Sequence, residues 1–361
     1  VSVYERVQAQ GEWSIKLREG TPISLLAGFS PFNHVVILQG RAQPGTLNDT
    51  FVATAALYTG VVLKLPGRSL TLGGAGLGWW LGDADGQGTI IDSTITQTSA
   101  SLSTWVTALR PASLIAGTVT SPGGSLSWTV VWISRRKALD AVCSVFGTEW
   151  RVKPSFALDV ATAATLYGST PTAITLPRGG GDDILLPGLE GTVKVEREYD
   201  DFTTEVFVSG QGVLGSAGGA HGSYRDGQGN LITINRLVDS PSTPPGSENT
   251  VATSLLNLWG SAVGQRSISV EASRYGITHY VPAGSYLYIY DPEFGLYDTT
   301  KQVWHQGVLT FPISVRVMGV RWPVEEGMAV YYRYWNGATF SYTDITPYVE
   351  FESGSAQLEI D

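Results

Sequence analysis

The sequence predicts a mainly β fold with minor α, of the α+β class, and three observations carry that reading. From Gln306 onward, short apolar and aromatic runs are punctuated by Pro323, Gly327 and Asn336-Gly337. The Asn-Gly pair between Tyr334-Trp335 and Phe340-Tyr342 predicts a hairpin, because a type I′ turn needs two positive-φ residues. Leu126, Trp128, Val130 and Trp132 alternate with Ser127 and Thr129, which is the period of a half-buried strand.

In chain order, Val35–Leu38 and Val61–Leu63 read as strands covered on both faces, since their apolar residues do not alternate. Turn-rich stretches separate the early strands: Pro66-Gly67, the glycine cluster at 73–76, Asp85-Gly86, and Pro122-Gly123-Gly124. Ser134 can cap a helix over RRKALDAVCSVF, with Ala138, Ala141, Val142, Val145 and Phe146 on one face and Gly147 ending it. Glu149–Val152 and Phe156–Val160 then pair as a hairpin. Arg178–Asp183 reads as a linker or surface loop. A second β region begins near Thr192, its strands split by a turn at Tyr199-Asp200-Asp201. The stretch 215–230 is a flexible loop by composition. A second helix is predicted from about Thr250 to Val263, with Leu255, Leu256 and Trp259 inward. Strands resume after Arg266, including one that places Tyr286, Tyr288 and Tyr290 on one face. In the acidic ending, Val349, Phe351, Leu358 and Ile360 alternate with carboxylates as in a half-exposed strand.

Composition narrows the function classes. A chain of 361 residues has room for roughly two to four domains. Charged residues make up 15 %, against about 25 % in typical soluble domains. Eleven Trp and sixteen Tyr supply rigid surface suited to cores and interfaces. A net charge of −9, with six Lys among 23 basic residues, argues against a grip on nucleic-acid phosphates. It is compatible with a channel through which DNA slides without sticking, because acidic walls would repel the backbone. Cys143 is the sole cysteine, which rules out an intrachain disulfide and a multi-cysteine zinc site and fits assembly in a reducing cytoplasm. The opening residues show no signal-peptide pattern. No apolar run reaches the ~18–20 residues of a membrane span, so no stable membrane association is expected.

Candidate chemistry is sparse. Asp83-Ala84-Asp85-Gly86 begins like a calcium loop, but Asp92 stands where a bidentate Glu belongs, and a polar hairpin turn is favoured. The glycines at 73, 74, 76 and 78 miss the dinucleotide spacing and have no P-loop lysine after them. They read as a tight turn leading into buried Trp79-Trp80. His34, His221, His279 and His305 lie far apart, and no serine-hydrolase elbow accompanies them. The pairs Asp182-Asp183, Asp200-Asp201 and Glu325-Glu326 are glycosidase candidates in principle, and solvent-facing charges by preference. Trp79, Trp80, Trp304, Trp322 and Trp335 suit either a sugar-stacking surface or core and interface anchors, and the latter is favoured. The expectation is therefore no catalytic residue, no metal site, no cofactor and no enzymatic activity.

Five segments taken together resemble one family. They are SLTLGGAGLGWWLGDADGQG (69–88), ALDAVCSVFGTEWRVKP (138–154), REYDDFTTEVFVSGQG (197–212), FPISVRVMGVRWPVEEGMAVYYRYWNG (311–337) and ITPYVEFESGSAQLEI (345–360). In collinear order they resemble the minor tail proteins of long-tailed phages of actinobacteria, specifically the baseplate hub or tail-tip protein. The resemblance implies a homotrimer with two tail-tube-like antiparallel β-barrel domains per subunit, forming a pseudo-sixfold ring that continues the tail tube.

On that plan the chain divides as follows. Residues 1–133 are the first barrel, 134–190 a small helix-plus-hairpin domain, 191–300 the second barrel with one helix, and 301–361 a closing β module. The implied role is structural, capping the tube at the distal tip of the virion and gating genome release. The implied partners are the distal tail protein, the tape-measure protein and other tail-tip proteins, with assembly in the host cytoplasm. Some members of the family carry a C-terminal peptidoglycan hydrolase. This sequence stops at Asp361, so no attached lysin is expected. Alternatives are a carbohydrate-binding tail protein that touches the host envelope and, after it, a tail-associated cell-wall hydrolase.

Overall fold

The computed structural model describes residues 2–82, 90–168, 174–175, 194–195, 203–210, 214–218, 234–240, 243–259, 268–275, 277, 280–293 and 295–360. The fold is mainly β, as predicted, and most of its strands join one sheet. From one end, the order is Lys194–Val195, Ile268–Glu271, Gln357–Ile360, Ile313–Pro323, Ser2–Arg6, Glu12–Lys16, Thr71–Gly76, Ala56–Lys64, His34–Leu38, Ala329–Trp335 and Phe340–Asp344. Each neighbouring pair along this path is antiparallel. Strand Ile313–Pro323 is eleven residues long and therefore serves two neighbours besides Ser2–Arg6. Its first part pairs with Tyr286–Ile289, and its second with Gln357–Ile360 across a register shift at Val317/Gly319.

The strand order is open, and among the described residues no barrel closes, which corrects the expectation of two barrels. The reason lies in where the middle strands go. Glu205–Ser209, Leu214–Gly218 and Asn235–Asp239 form a three-stranded sheet of their own. Helix Glu248–Trp259 covers it, with Ala252 and Leu256 packed on Val206 and Val208. Those strands are not available to extend the large sheet.

Strand His34–Leu38 is buried along its whole length, as its unbroken apolar run predicts. Val35 and Ile37 face the main core. Val36 and Leu38 face Val52 and Phe51 of helix Asp49–Ala55 and Tyr331 of a neighbouring strand. Asn48 caps that helix by accepting a hydrogen bond from the Phe51 amide at 2.9 Å.

The glycine cluster is a strand and not a turn, pressed against neighbouring backbone, and Trp13 packs beside it on Gly60. The Trp13 indole Nε1 donates to the carbonyls of Val61 and Ala75, each at 3.2 Å, from between the two strands that carry them. A Cβ on Gly60 would stand 2.2 Å from that nitrogen, and a Cβ on Gly74 would stand 1.8 Å from the Val61 carbonyl oxygen. Gly60→Ala is expected to expel the indole and cost about 2 kcal/mol by overpacking. Urea denaturation measures it, and a loss under about 0.5 kcal/mol would refute the close-packing account. The glycines lead into a 3₁₀ turn, Leu77–Leu81, whose Trp79 and Trp80 are half-buried and not buried as expected.

A second lobe, from Ile90 to Tyr167, has its own core around Trp105, Leu109, Leu139, Val142 and Trp150. Its helix Arg135–Phe146 begins at Ser134, whose Oγ accepts from the Lys137 amide, and ends at Gly147 with φ 61°. The buried face is Ala138, Leu139, Val142, Cys143 and Phe146, with Ala141 and Val145 half-buried. The predicted hairpin forms from Glu149–Val152 and Ala157–Ala161, and parallel strand Ile115–Val119 joins it on the other edge. Helix Leu102–Leu109, capped by Ser101, was not anticipated. Strand Leu126–Val130 alternates as predicted but ends two residues early. Trp132 takes φ 60° and is 75 % exposed.

Candidate functional site

Two places concentrate interacting side chains, and both join the sheet to the second lobe. The first centres on Arg333, in strand Ala329–Trp335. The predicted hairpin is present, but it closes through four residues and not through a type I′ pair, because only Gly337 of Asn336-Gly337 has positive φ. Asn336 Oδ1 accepts from the amides of Ala338 and Thr339, which makes an Asx turn in its place. The hairpin brings Tyr342 beside Arg333, and both reach Asp49 at the start of helix Asp49–Ala55. The Arg333 guanidinium donates to the two Asp49 oxygens at 2.9 and 3.1 Å, and the Tyr342 hydroxyl donates to Asp49 as well. Phe340 and, from the second lobe, Phe156 stack on the guanidinium at 3.4 and 4.6 Å. His34 Nδ1 lies 3.2 Å from it. Burial, together with the positive charge of Arg333, holds the His34 imidazole down to about 3, so the ring is neutral.

The second place is a cavity of about 340 Å³ between the sheet and the second lobe. Strand Ser2–Arg6 contributes Glu5, strand Ala56–Lys64 contributes Tyr58, and the connection after Arg6 contributes Gln8 and Gln10. Trp150, Arg151 and Tyr167 line it from the second lobe, and Tyr280, Pro282 and Ala283 complete the wall. The Tyr280 hydroxyl donates to Glu5. Burial pushes the Glu5 carboxyl up to about 7, against the smaller opposing pull of its hydrogen bonds from Tyr280 and the Ala283 backbone. Across the same junction, Arg136 Nη2 donates to the Gln8 carbonyl at 2.8 Å, and Arg316 pairs with Glu149 through both terminal nitrogens.

The sequence-predicted chemistry disperses. The calcium-like stretch at 83–88, the pairs Asp182-Asp183 and Asp200-Asp201, and His221 and His279 lie outside the described residues, as do the predicted linker at 178–183 and the side chain of Trp259. Glu325 and Glu326 are exposed on a turn. His34 is buried in the Arg333 cluster, and His305 sits in the short hairpin Val303–His305 with Val308–Thr310. Among the described residues, no three His, Cys, Asp or Glu side chains gather to hold a metal ion. Burial raises the Cys143 thiol well above neutrality, so it stays protonated.

The five tryptophans divide between core and surface. Trp322 is 3 % exposed, within ring contact of Tyr58 and Tyr280. Trp79 contacts Trp80 and Phe32, and Trp335 contacts Phe340. Trp304 is 72 % exposed on its two-stranded hairpin, beside exposed Val303 and Val308. Trp132 adds an exposed ring that the alternating pattern had placed inward. Glu5, Tyr58 and Tyr280 carry no local signal at all, since their meeting depends on strands far apart in sequence.

No family model matches the chain, and no curated protein matches its sequence. Solved structures do share its fold. A tail protein from Neisseria meningitidis MC58 is similar over 99 % of this chain and 90 % of its own, at 12 % identity and a TM-score of 0.54. The 43 kDa tail protein of prophage MuSo2 from Shewanella oneidensis is similar over 100 % of this chain and 90 % of its own, at 11 % identity and a TM-score of 0.53. The chain therefore has, along its whole length, a fold also found in prophage and bacterial tail proteins.

Proposed function

We propose that the chain is a structural protein of a phage tail and, within the tail, the baseplate hub of a long non-contractile tail. The observation that carries this reading is the extent of the fold match, which runs end to end in both tail proteins. Sparse charge and exposed aromatic side chains on short hairpins support it, since such side chains are common anchors at subunit interfaces.

In this reading three copies ring the tail axis at the distal tip, cap and continue the tube, and gate genome release. The large sheet is open, so neighbouring copies complete the wall of the ring. The distal tail protein, the tape-measure protein and other tail-tip proteins are its partners, DNA passes without specific binding, and assembly takes place in the host cytoplasm. The reading includes no catalytic step, cofactor or stable membrane association. No helix among the described residues is long and apolar enough to cross a membrane.

Cryo-electron microscopy of intact tails tests this directly. Three copies around the axis at the distal end are expected. Copies set off the axis, on side fibres, would sink the hub assignment.

A second reading rests on Trp304. A tryptophan so exposed on a protruding hairpin also suits stacking on a sugar of the host envelope. Trp304→Ser is expected to leave stability within about 0.5 kcal/mol. Saturable binding of cell-wall glycans, lost in that variant, would favour a carbohydrate-binding tail protein over the hub.

A further inference from the structure

We propose that the cavity between the sheet and the second lobe is a binding site for a primary alkylammonium group, its charge on Glu5 and its chain along the tyrosine rings. Three kinds of observation point there. The first is unanswered polarity. Tyr58 is 5 % exposed, and among the described residues neither its hydroxyl nor the buried Gln10 Oε1 finds a hydrogen-bond partner. Both residues line this cavity. The Tyr58 hydroxyl stands over Gly76, 3.1 Å from where a Cβ of that residue would lie, and the Gln10 backbone carbonyl borders the same position at 2.1 Å.

The second is charge. Glu5 receives hydrogen bonds from Tyr280 and the Ala283 backbone, and no cation among the described residues pairs with it. The basic residues on the cavity wall are engaged elsewhere: Arg6 with Glu359 at 3.8 Å, and Arg151 and Lys153 with Asp159 at 3.4 and 2.7 Å. An ammonium group brings one positive charge and three N–H donors. The cavity offers it a carboxylate, an amide oxygen and a hydroxyl.

The third is shape and lining. The volume of about 340 Å³ falls in the range of small-ligand sites. Tyr58, Tyr280, Leu57, Leu77 and Pro282 give an alkyl chain an apolar and aromatic path.

A lysine side chain of a partner and a free polyamine share this chemistry. Titrating the full chain with N-acetyl-lysinamide and, separately, with putrescine, followed by calorimetry at pH 8, distinguishes them. Saturable binding of either probe is expected, and the tighter one identifies the source. Glu5→Gln should weaken it at least tenfold, roughly the loss of a charged hydrogen bond. Tyr58→Phe, which removes only one oxygen, is the milder variant and should weaken it about threefold or more.

Binding should also fall about tenfold from pH 8 to pH 6 as Glu5 takes up its proton. Tyr58, Tyr280 and Tyr167 face Glu5 and stay neutral across that interval, their hydroxyls raised by burial, and Arg6, Arg151 and Lys153 line the same wall. Failure of both probes to saturate, or binding untouched by Glu5→Gln and Tyr58→Phe, would overturn the proposal and leave the cavity to water only.

Discussion

Asp49→Ala is expected to destabilise the protein by about 3 kcal/mol, and Arg333→Met by less than half as much. The asymmetry follows from where the two charges sit. The Arg333 side chain is 5 % exposed and that of Asp49 is 54 % exposed. Without Asp49, a buried guanidinium keeps its desolvation penalty and loses the only carboxylate it pairs with among the described residues; the nearby His34 ring is held neutral and cannot replace it. Without Arg333, the half-exposed carboxylate turns to water and keeps its hydrogen bond from Tyr342. Methionine meanwhile fills part of the space between Phe156 and Phe340. Urea denaturation of both variants decides it. A greater loss in Arg333→Met would mean that the aromatic stacking outweighs the ion pair.

The second large effect is a stability profile that is flat where most proteins show a slope. His34 has a folded pKa of about 3, below its unfolded value near 6.5, so the unfolded chain binds the extra proton. Its contribution is intact above about pH 6.5 and is lost as pH falls toward 3. Glu5 behaves in the opposite way. Its folded pKa of about 7 lies above the unfolded 4.5, so the folded chain binds the extra proton, and its contribution is lost as pH rises from 4.5 to 7. Between pH 4.5 and 6.5 the two slopes, each about 1.4 kcal/mol per pH unit at most, oppose one another. The wild type should therefore change little in that interval and lose stability steeply below it. In Glu5→Gln the opposing Glu5 slope is removed, and stability should rise with pH more steeply than in the wild type, by up to about 1 kcal/mol per unit. Equal profiles for the two proteins between pH 4.5 and 6.5 would rule out a proton-holding Glu5.

Local elements were legible in the sequence where local chemistry determines them. Ser134 and Gly147 bracket their helix because a hydroxyl cap and a left-handed glycine act within a few residues. The unbroken apolar run at 35–38 announced a strand covered on both sides. Helix Leu102–Leu109 was missed although Ser101 can cap it and Leu102, Trp105, Val106 and Leu109 fall at helical spacing, because Thr, Trp and Val favour strand. Trp132 was misplaced because alternation does not show that the chain turns left-handed at that residue. The two clusters were not legible. Arg333 meets Asp49 and Tyr280 meets Glu5 across 284 and 275 positions, and only the completed sheet sets those distances. Closed barrels were expected from the family resemblance alone, and the strand pattern does not say which sheet a strand joins.

Strand Ser2–Arg6 lies between Glu12–Lys16 and Ile313–Pro323, and Tyr4 donates to Glu359 across 355 positions. During synthesis, this early segment emerges with one edge unsatisfied and must wait for partners made hundreds of codons later. The second lobe, whose strands and helices are all drawn from a contiguous stretch, has no such delay and can consolidate on the ribosome. The large sheet is then the last part to set, and its waiting edge is where a holdase would be most useful and where a stalled or truncated nascent chain would first stick to its neighbours.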